Sequence, residues 1–269
     1  MAERGGAAPD RRAPDGSPYP ARGAPTFERD VRRMFTHIAR GYDGFDHLAS
    51  LGNDFLWRPR ALWDLDRFRG PSAPPVRRAL DIGCGTGDLA VLVARHFPDA
   101  TVVASDFTAA MLARLRRRHA RSPALGRISL SRANGLALPF ADGIFDLVTN
   151  AFVLRNFADL PRAFREMRRV LRPGGTLACL EITDPGSRWV RELFHAYFDR
   201  VVPWMGKAAG SEGPYRYLPE SLRSLPPPSA LCDAMRAAGF PRAEARPQSA
   251  GIVTTFLGEA GDVPPGARG

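Results

Sequence analysis

The run Arg78-Ala-Leu-Asp-Ile-Gly-Cys-Gly-Thr-Gly-Asp-Leu-Ala90 constrains this chain more than any other, because it joins a buried strand to a helix through three alternating glycines. Ala79, Leu80 and Ile82 read as the end of a parallel strand, and Leu89, Val91, Leu92, Val93 and Ala94 as the apolar face of the helix. Gly83, Gly85 and Gly87 clear the turn of side chains that would obstruct a ligand. The run departs from a dinucleotide fingerprint at Asp88, where glycine is expected, and carries Asp81 just ahead of the first glycine. A carboxylate is a poor neighbour for a pyrophosphate and a good one for an ammonium or a sulfonium. The loop therefore suits S-adenosylmethionine better than NAD.

The segments downstream keep step with that reading. A second strand, Thr101-Val-Val-Ala-Ser, leads into Asp106, about 20 residues past the glycines, where a carboxylate at a strand's C-terminal end can accept both ribose hydroxyls. Asp106 and its neighbour Phe107 are assigned to the cofactor side. A third element from Ile128 places Asn134 and Gly135 at its end, and an amide there can pair with an adenine edge. A fourth strand, Phe145-Asp-Leu-Val-Thr-Asn-Ala-Phe-Val-Leu, runs up to Arg155 and Asn156. Pro173, Gly174 and Gly175 predict the turn that ends the following helix and starts the next strand.

Three further stretches carry a specific resemblance. They are Val31 to Arg58, with Tyr42-Asp43 and Trp57-Arg58; Ala151-Phe-Val-Leu-Arg-Asn-Phe-Ala-Asp159 together with Arg169-Val-Leu-Arg-Pro-Gly-Gly-Thr-Leu-Ala-Cys-Leu-Glu181; and Tyr215-Arg-Tyr-Leu-Pro-Glu-Ser-Leu-Arg223 with Ala238-Gly-Phe240 and Gly251-Ile-Val253. With the glycine loop, they make the chain resemble the C-methyltransferases of ubiquinone and menaquinone biosynthesis, within the class I S-adenosylmethionine-dependent methyltransferases. The chain departs from the family's usual asparagine at Asp46. The resemblance implies an α/β fold: a Rossmann-like, doubly wound, mostly parallel seven-stranded sheet, with N-terminal helices and a helical insertion roofing the site. It implies methyl transfer to a ring carbon of a prenylated quinol, with a soluble aromatic or polyketide-like acceptor as the alternative.

A ring carbon becomes nucleophilic when an adjacent phenol ionises, so such an enzyme needs a group to stabilise the phenolate and another to take a proton. On the resemblance, Arg155 is the candidate for the first task, and Asn156 for orienting the ring oxygen. Tyr42 and Asp43 are the candidates for acceptor contact and proton removal, and His47, Tyr197 and Tyr215 for the substrate side. Val31, Met34, Phe35 and Ile38 fall on one helical face that would cap the site. Trp189 to Met205 predicts a helix apolar over more than one stripe, which needs two apolar partners: the domain on one side, and a polyprenyl tail, a second layer of ordinary core or a second copy of the chain on the other.

Composition sets the outer bounds. A chain of 269 residues, 44% hydrophobic, can bury one full core, with the catalytic domain expected over residues 26–258 and polar tails expected to be disordered over 1–25 and 259–269. Cys84, Cys179 and Cys232 are odd in number and far apart, which suits a reducing cytoplasm. The five histidines show no metal-ligand spacing, so no metal is expected. The net charge of +10 is carried almost wholly by arginine, since Lys207 is the single lysine. Most of that charge reads as arginines spread over solvated faces; the cluster Arg114, Arg116, Arg117, Arg118 and Arg121 leaves peripheral contact with an anionic membrane surface open, and no nucleic-acid partner is expected.

Overall fold

A computed structural model describes residues 26–38, 54–201, 219 and 221–262. Among the described residues, two helices, α1 (Phe27–Ile38) and α2 (Asp54–Arg69), precede the sheet. Strand and helix then alternate: β1 (Arg78–Ile82), α3 (Asp88–His96), β2 (Thr101–Asp106), α4 (Ala109–Arg118), β3 (Ile128–Arg132), β4 (Phe145–Ala151), α5 (Leu160–Val170) and β5 (Leu171–Ile182). After α6 (Arg188–Ala196) and α7 (Pro228–Ala237), the strands β6 (Arg242–Gln248) and β7 (Val253–Glu259) complete the sheet. The seven strands lie in the order β3-β2-β1-β4-β5-β7-β6, parallel except for β7, which runs antiparallel to both its neighbours.

Alternation along the strands splits the core in two. Ala79, Leu147, Ala178 and Leu257 point to one face, where Leu62 and Leu65 of α2, Leu89 and Val93 of α3 and Leu115 of α4 cover them. Their neighbours Leu80, Val148, Leu177 and Phe256 point to the other, under Phe164 and Met167 of α5 and Leu231 and Met235 of α7. Both faces of the central strands are covered, which explains why every residue of β4 up to Asn150 is buried, Asp146, Thr149 and Asn150 included. Order reverses between β1 and β4, and in a doubly wound sheet the crevice at such a point is where ligands bind.

At the opposite end of the sheet, Asp146 ties three strands together. Its Oδ2 accepts the backbone N–H groups of Arg77 at 2.6 Å and Arg78 at 2.8 Å, while Oδ1 pairs with Arg172 at 2.9 Å.

Two expectations shift. α5 runs directly into β5 at Leu171, and the Pro173–Gly175 turn lies within the strand, where the register jumps from Phe145–Leu171 to Leu147–Thr176. The looped-out residues find partners beyond β7: the Gly174 N–H donates to the Ala260 carbonyl and the Ala260 N–H to that of Gly175, each at 2.8 Å. The expected helix from Trp189 is α-helical only to Ala196 and continues as a π turn over Tyr197–Val201, beyond which residues 202–218 lie outside the described residues. Among the described residues, one stripe of it packs, through Phe194, Tyr197 and Phe198 against Ile182, Leu222 and Ile252, while Trp189 and Leu193 are 80% and 73% exposed.

Asp146→Ala should lower stability by about 2–4 kcal/mol, because two backbone donors and a guanidinium lose a buried anion. Urea denaturation checks it, and an unchanged midpoint would show that the three strand ends hold without the clamp.

Candidate active site

The C-terminal ends of β1 to β4 enclose two clefts that meet at the glycine loop. The larger, about 740 Å³ and open to solvent, has mostly apolar walls from Phe35, Ile82, Phe107, Met111, Gly135, Leu136, Phe152 and Phe157, with Glu28, Asp106, Asn134 and Asn156 as its polar members. The smaller, about 360 Å³, is lined by Arg58, Asp81, Thr86 and Asp88. Gly83, Gly85, Ala151 and Phe152 belong to both.

The loop is shaped by what surrounds each glycine. Gly83, at φ 65°, has no room for a side chain, since a Cβ would lie 2.6 Å from a methyl of Val153. Gly85, at φ 53°, faces open space, with no atom within 4 Å of a Cβ. A side chain there would fill the junction of the two clefts rather than strike protein, so Gly85 leaves the room a ligand needs. Gly87 serves a third purpose, capping α3 from a left-handed conformation.

Asp106 holds this loop in place. Its Oδ2 accepts the Gly85 N–H at 3.0 Å and its Oδ1 the Thr108 N–H at 2.7 Å. The carboxylate is almost fully buried, and burial raises its pKa against the pull of those two donors.

Asp81 is the less satisfied acid. The Thr149 hydroxyl donates to Oδ1 at 2.8 Å, while Oδ2 is buried and has no hydrogen-bond partner among the described residues. Burial pushes the carboxyl up to about 7, against the Thr149 hydroxyl and the charge of Arg58. Asp88, by contrast, is paired with Arg118 at 2.9 Å. Among its described residues, the smaller cleft thus presents one unsatisfied acid, Asp81, and one guanidinium, Arg58, a donor and acceptor set that suits the two ends of a zwitterion.

The remaining sequence candidates are distributed unevenly. Phe107, Asn134 and Gly135 line the larger cleft. The Asn134 amide is already engaged: Nδ2 donates to Glu28 of α1 at 2.9 Å and Oδ1 accepts from the Leu136 N–H at 3.0 Å. Asn156 also faces this cleft, its Nδ2 donating to the Phe152 carbonyl at 3.3 Å. Arg155 is absent from the described walls of both clefts. It is buried in an ion pair with Glu181, which also accepts the Arg155 and Ile182 N–H groups. Tyr197 is half-buried beside Phe198 and is not among the described residues of either cleft wall; burial raises the pKa of its phenol. Tyr42, Asp43, His47 and Tyr215 lie outside the described residues. Arg58, Phe152 and Glu28 line the clefts without having been singled out from the sequence, although Arg58 and Phe152 lie inside the stretches that carry the resemblance.

The architecture is that of a class I methyltransferase. A structure of a putative S-adenosylmethionine-dependent methyltransferase from Methanococcus maripaludis superposes with a TM-score of 0.56 at 18% identity, over 88% of this chain and 94% of that one. The chain belongs to the ubiE/COQ5 methyltransferase family, whose model matches residues 25–260. Among its relatives, the demethylmenaquinone methyltransferase of Thermus thermophilus is 45% identical over 77% of this chain and 91% of its own length. The ubiquinone/menaquinone biosynthesis C-methyltransferase UbiE of Geobacter sulfurreducens is 38% identical over 86% and 88%. Among the described residues, no helix is long and apolar enough to cross a membrane.

Asp81 carries a pH signature of its own. Its folded-state value lies above the unfolded one, so its contribution to stability is full below 3.8 and is lost as pH rises to about 7. Asp81→Asn should therefore make the ligand-free protein more stable than wild type at pH 7.5, by about 1–2 kcal/mol, with the difference closing toward pH 4. Denaturation at both pH values checks this. A variant less stable at neutral pH would show that the carboxylate is satisfied after all.

Proposed function

We propose that this chain transfers the methyl group of S-adenosylmethionine to a ring carbon of a reduced, prenylated quinone precursor, demethylmenaquinol being the first choice. The observation that carries the cofactor reading is the pair of clefts: an apolar one with Asp106 at its edge, joined across Gly85 to a polar one holding Asp81 and Arg58. A nucleoside bonded to an amino acid has that division of chemistry. The acceptor follows from the relatives, whose names specify demethylmenaquinone and the ubiquinone/menaquinone pathway, and these favour a quinone ring over a soluble polyketide-like acceptor.

In this reading, Asp81 takes the ammonium and Arg58 the carboxylate of the methionine moiety. Asp106 retains acceptor capacity for the ribose hydroxyls while holding the loop. Phe107 and Gly135 flank the adenine, and Asn134 sets the rim of its pocket through Glu28. The bound cofactor supplies an electrophilic methyl group, and the acceptor supplies the electron pair, so the protein's task is to orient the two reactants and manage one proton. Asn156 faces the larger cleft and is placed to orient a ring oxygen. Arg155, paired with Glu181, positions the turn that carries Phe152 and Asn156. Tyr42 and Asp43 remain the candidates for proton removal, and His47, Tyr197 and Tyr215 for acceptor contact, on the resemblance alone. A lipid acceptor is most simply drawn from a membrane surface, and the exposed Trp189 and Leu193 of α6 give the chain a peripheral contact there.

Two measurements test the proposal. Labelled S-adenosylmethionine with chemically reduced demethylmenaquinone in detergent should yield methylated quinol by mass spectrometry of the lipid fraction. Cofactor binding without product would remove the quinol as acceptor. Calorimetry then separates the clefts. Asp81→Asn and Arg58→Ala should weaken S-adenosylmethionine about tenfold or more, yet leave 5′-methylthioadenosine, which lacks the amino acid end, unchanged. Asp106→Ala should weaken both about 10- to 100-fold. Wild-type affinity should also rise with pH up to about 7, as Asp81 ionises, and Asp81→Asn should abolish that slope.

A further inference from the structure

Among the described residues, Phe152 is the one aromatic residue on the wall that the two clefts share; the other shared members are Gly83, Gly85 and Ala151. Its backbone is left-handed at φ 61°, an unfavourable conformation for a residue with a side chain, and such strain persists only where the surroundings enforce it. The surroundings are visible. The Phe152 N–H donates to the Leu180 carbonyl at 2.7 Å. Trp57 meets its ring edge-on, with centroids 6.2 Å apart, and is itself fixed by donating from Nε1 to Ser249 Oγ at 2.8 Å. The Arg58 guanidinium carbon lies 5.4 Å from the Phe152 ring centroid. The ring is 7% exposed and held from several directions, at the place where the nucleoside half of the cofactor must pass into its amino acid half.

The atom joining those halves is the sulfur. It is a sulfonium before methyl transfer and a neutral thioether afterwards, and an aromatic face attracts the first through its quadrupole but not the second. We propose that Phe152 reads this charge, favouring the methylated cofactor over its demethylated product at the shared wall. The inference rests on the cofactor reading above. Arg58 touches the same ring, and its hold on the amino acid end is common to both ligands, while its charge repels the sulfonium alone. The ligands differ by a methyl group as well as by charge, so the trend of their affinity ratio along the fluorinated series, which keeps Arg58 and both ligands constant, isolates the ring's attraction for the sulfonium.

The experiment measures binding of S-adenosylmethionine and S-adenosylhomocysteine by calorimetry. The variants are Phe152→Leu and a series in which Phe152 is replaced by mono-, di- and trifluorophenylalanine, which drain the ring's quadrupole at nearly constant shape. Phe152→Leu should weaken S-adenosylmethionine about three- to thirtyfold while S-adenosylhomocysteine changes less than about twofold, and the affinity ratio should fall steadily with each added fluorine. The fluorinated series decides the matter if the leucine variant does not fold. Equal losses for both ligands, or a ratio indifferent to fluorine, would make Phe152 a steric wall and overturn the proposal. Wild-type protein that binds neither ligand would instead overturn the cofactor reading, and this inference with it.

Discussion

The two hydrogen bonds that Asp106 accepts, from Gly85 and from Thr108, govern the architecture of the site. They fasten the loop after β1 to the end of β2 and to the start of α4, so three elements meet at one carboxylate. With the Cys84 N–H donating to the Ser105 carbonyl at 3.0 Å beside it, that clamp fixes Gly85 at the junction between the two clefts. The cost is visible in the raised pKa of the acid itself, since burial disfavours its charge and two amides only partly compensate. The clamp works because the doubly wound sheet brings β1 and β2 into parallel register, with Ile82 opposite Ser105, so the glycine loop begins beside the residue that will hold it.

Much of this was legible from residue pattern alone. The glycine run, Asp81 and Asp106 mark their own places because backbone geometry and a carboxylate at a strand end leave few alternatives. The apolar stripe of α1 was readable too, and Phe27 and Val31 are buried with Met34, Phe35, Phe107 and Ala158 around them. Other features depend on residues far apart in the chain. Nothing local distinguishes Phe152, one residue past the end of β4, from the apolar residues beside it; Leu180 and Trp57 hold its left-handed backbone in place. The engagement of Asn134 depends on Glu28, more than a hundred residues earlier, and the pairing of Arg155 depends on Glu181 on a different strand. Arginine in this position reads as an available cation until its partner is known. The turn at Pro173–Gly175 was correct in composition but misplaced, because the partners that let it bulge out of β5 lie beyond β7.

Polar and apolar work are separated in this molecule. The buried pair of Arg155 and Glu181 lies beneath the turn that lines the larger cleft, where it can fix the positions of Phe152 and Asn156 without facing the ligand itself. The Ser249–Gly251 turn, with Ser249 and Ala250 both left-handed, supports Trp57 from the opposite direction. Rigid supports of this kind hold a contact to the tolerance that in-line displacement demands.

The unsatisfied oxygen of Asp81 has one more consequence, and it concerns heat rather than structure. An acid with a value near 7 is partly protonated at neutral pH, and a bound ammonium stabilises its ionised form. On the proposed pairing of Asp81 with the ligand's ammonium, filling the smaller cleft expels a fraction of a proton into solution. The enthalpy of ligand binding therefore includes the ionisation enthalpy of whatever buffer accepts that proton, and values obtained in phosphate and in Tris describe different net reactions of the same site.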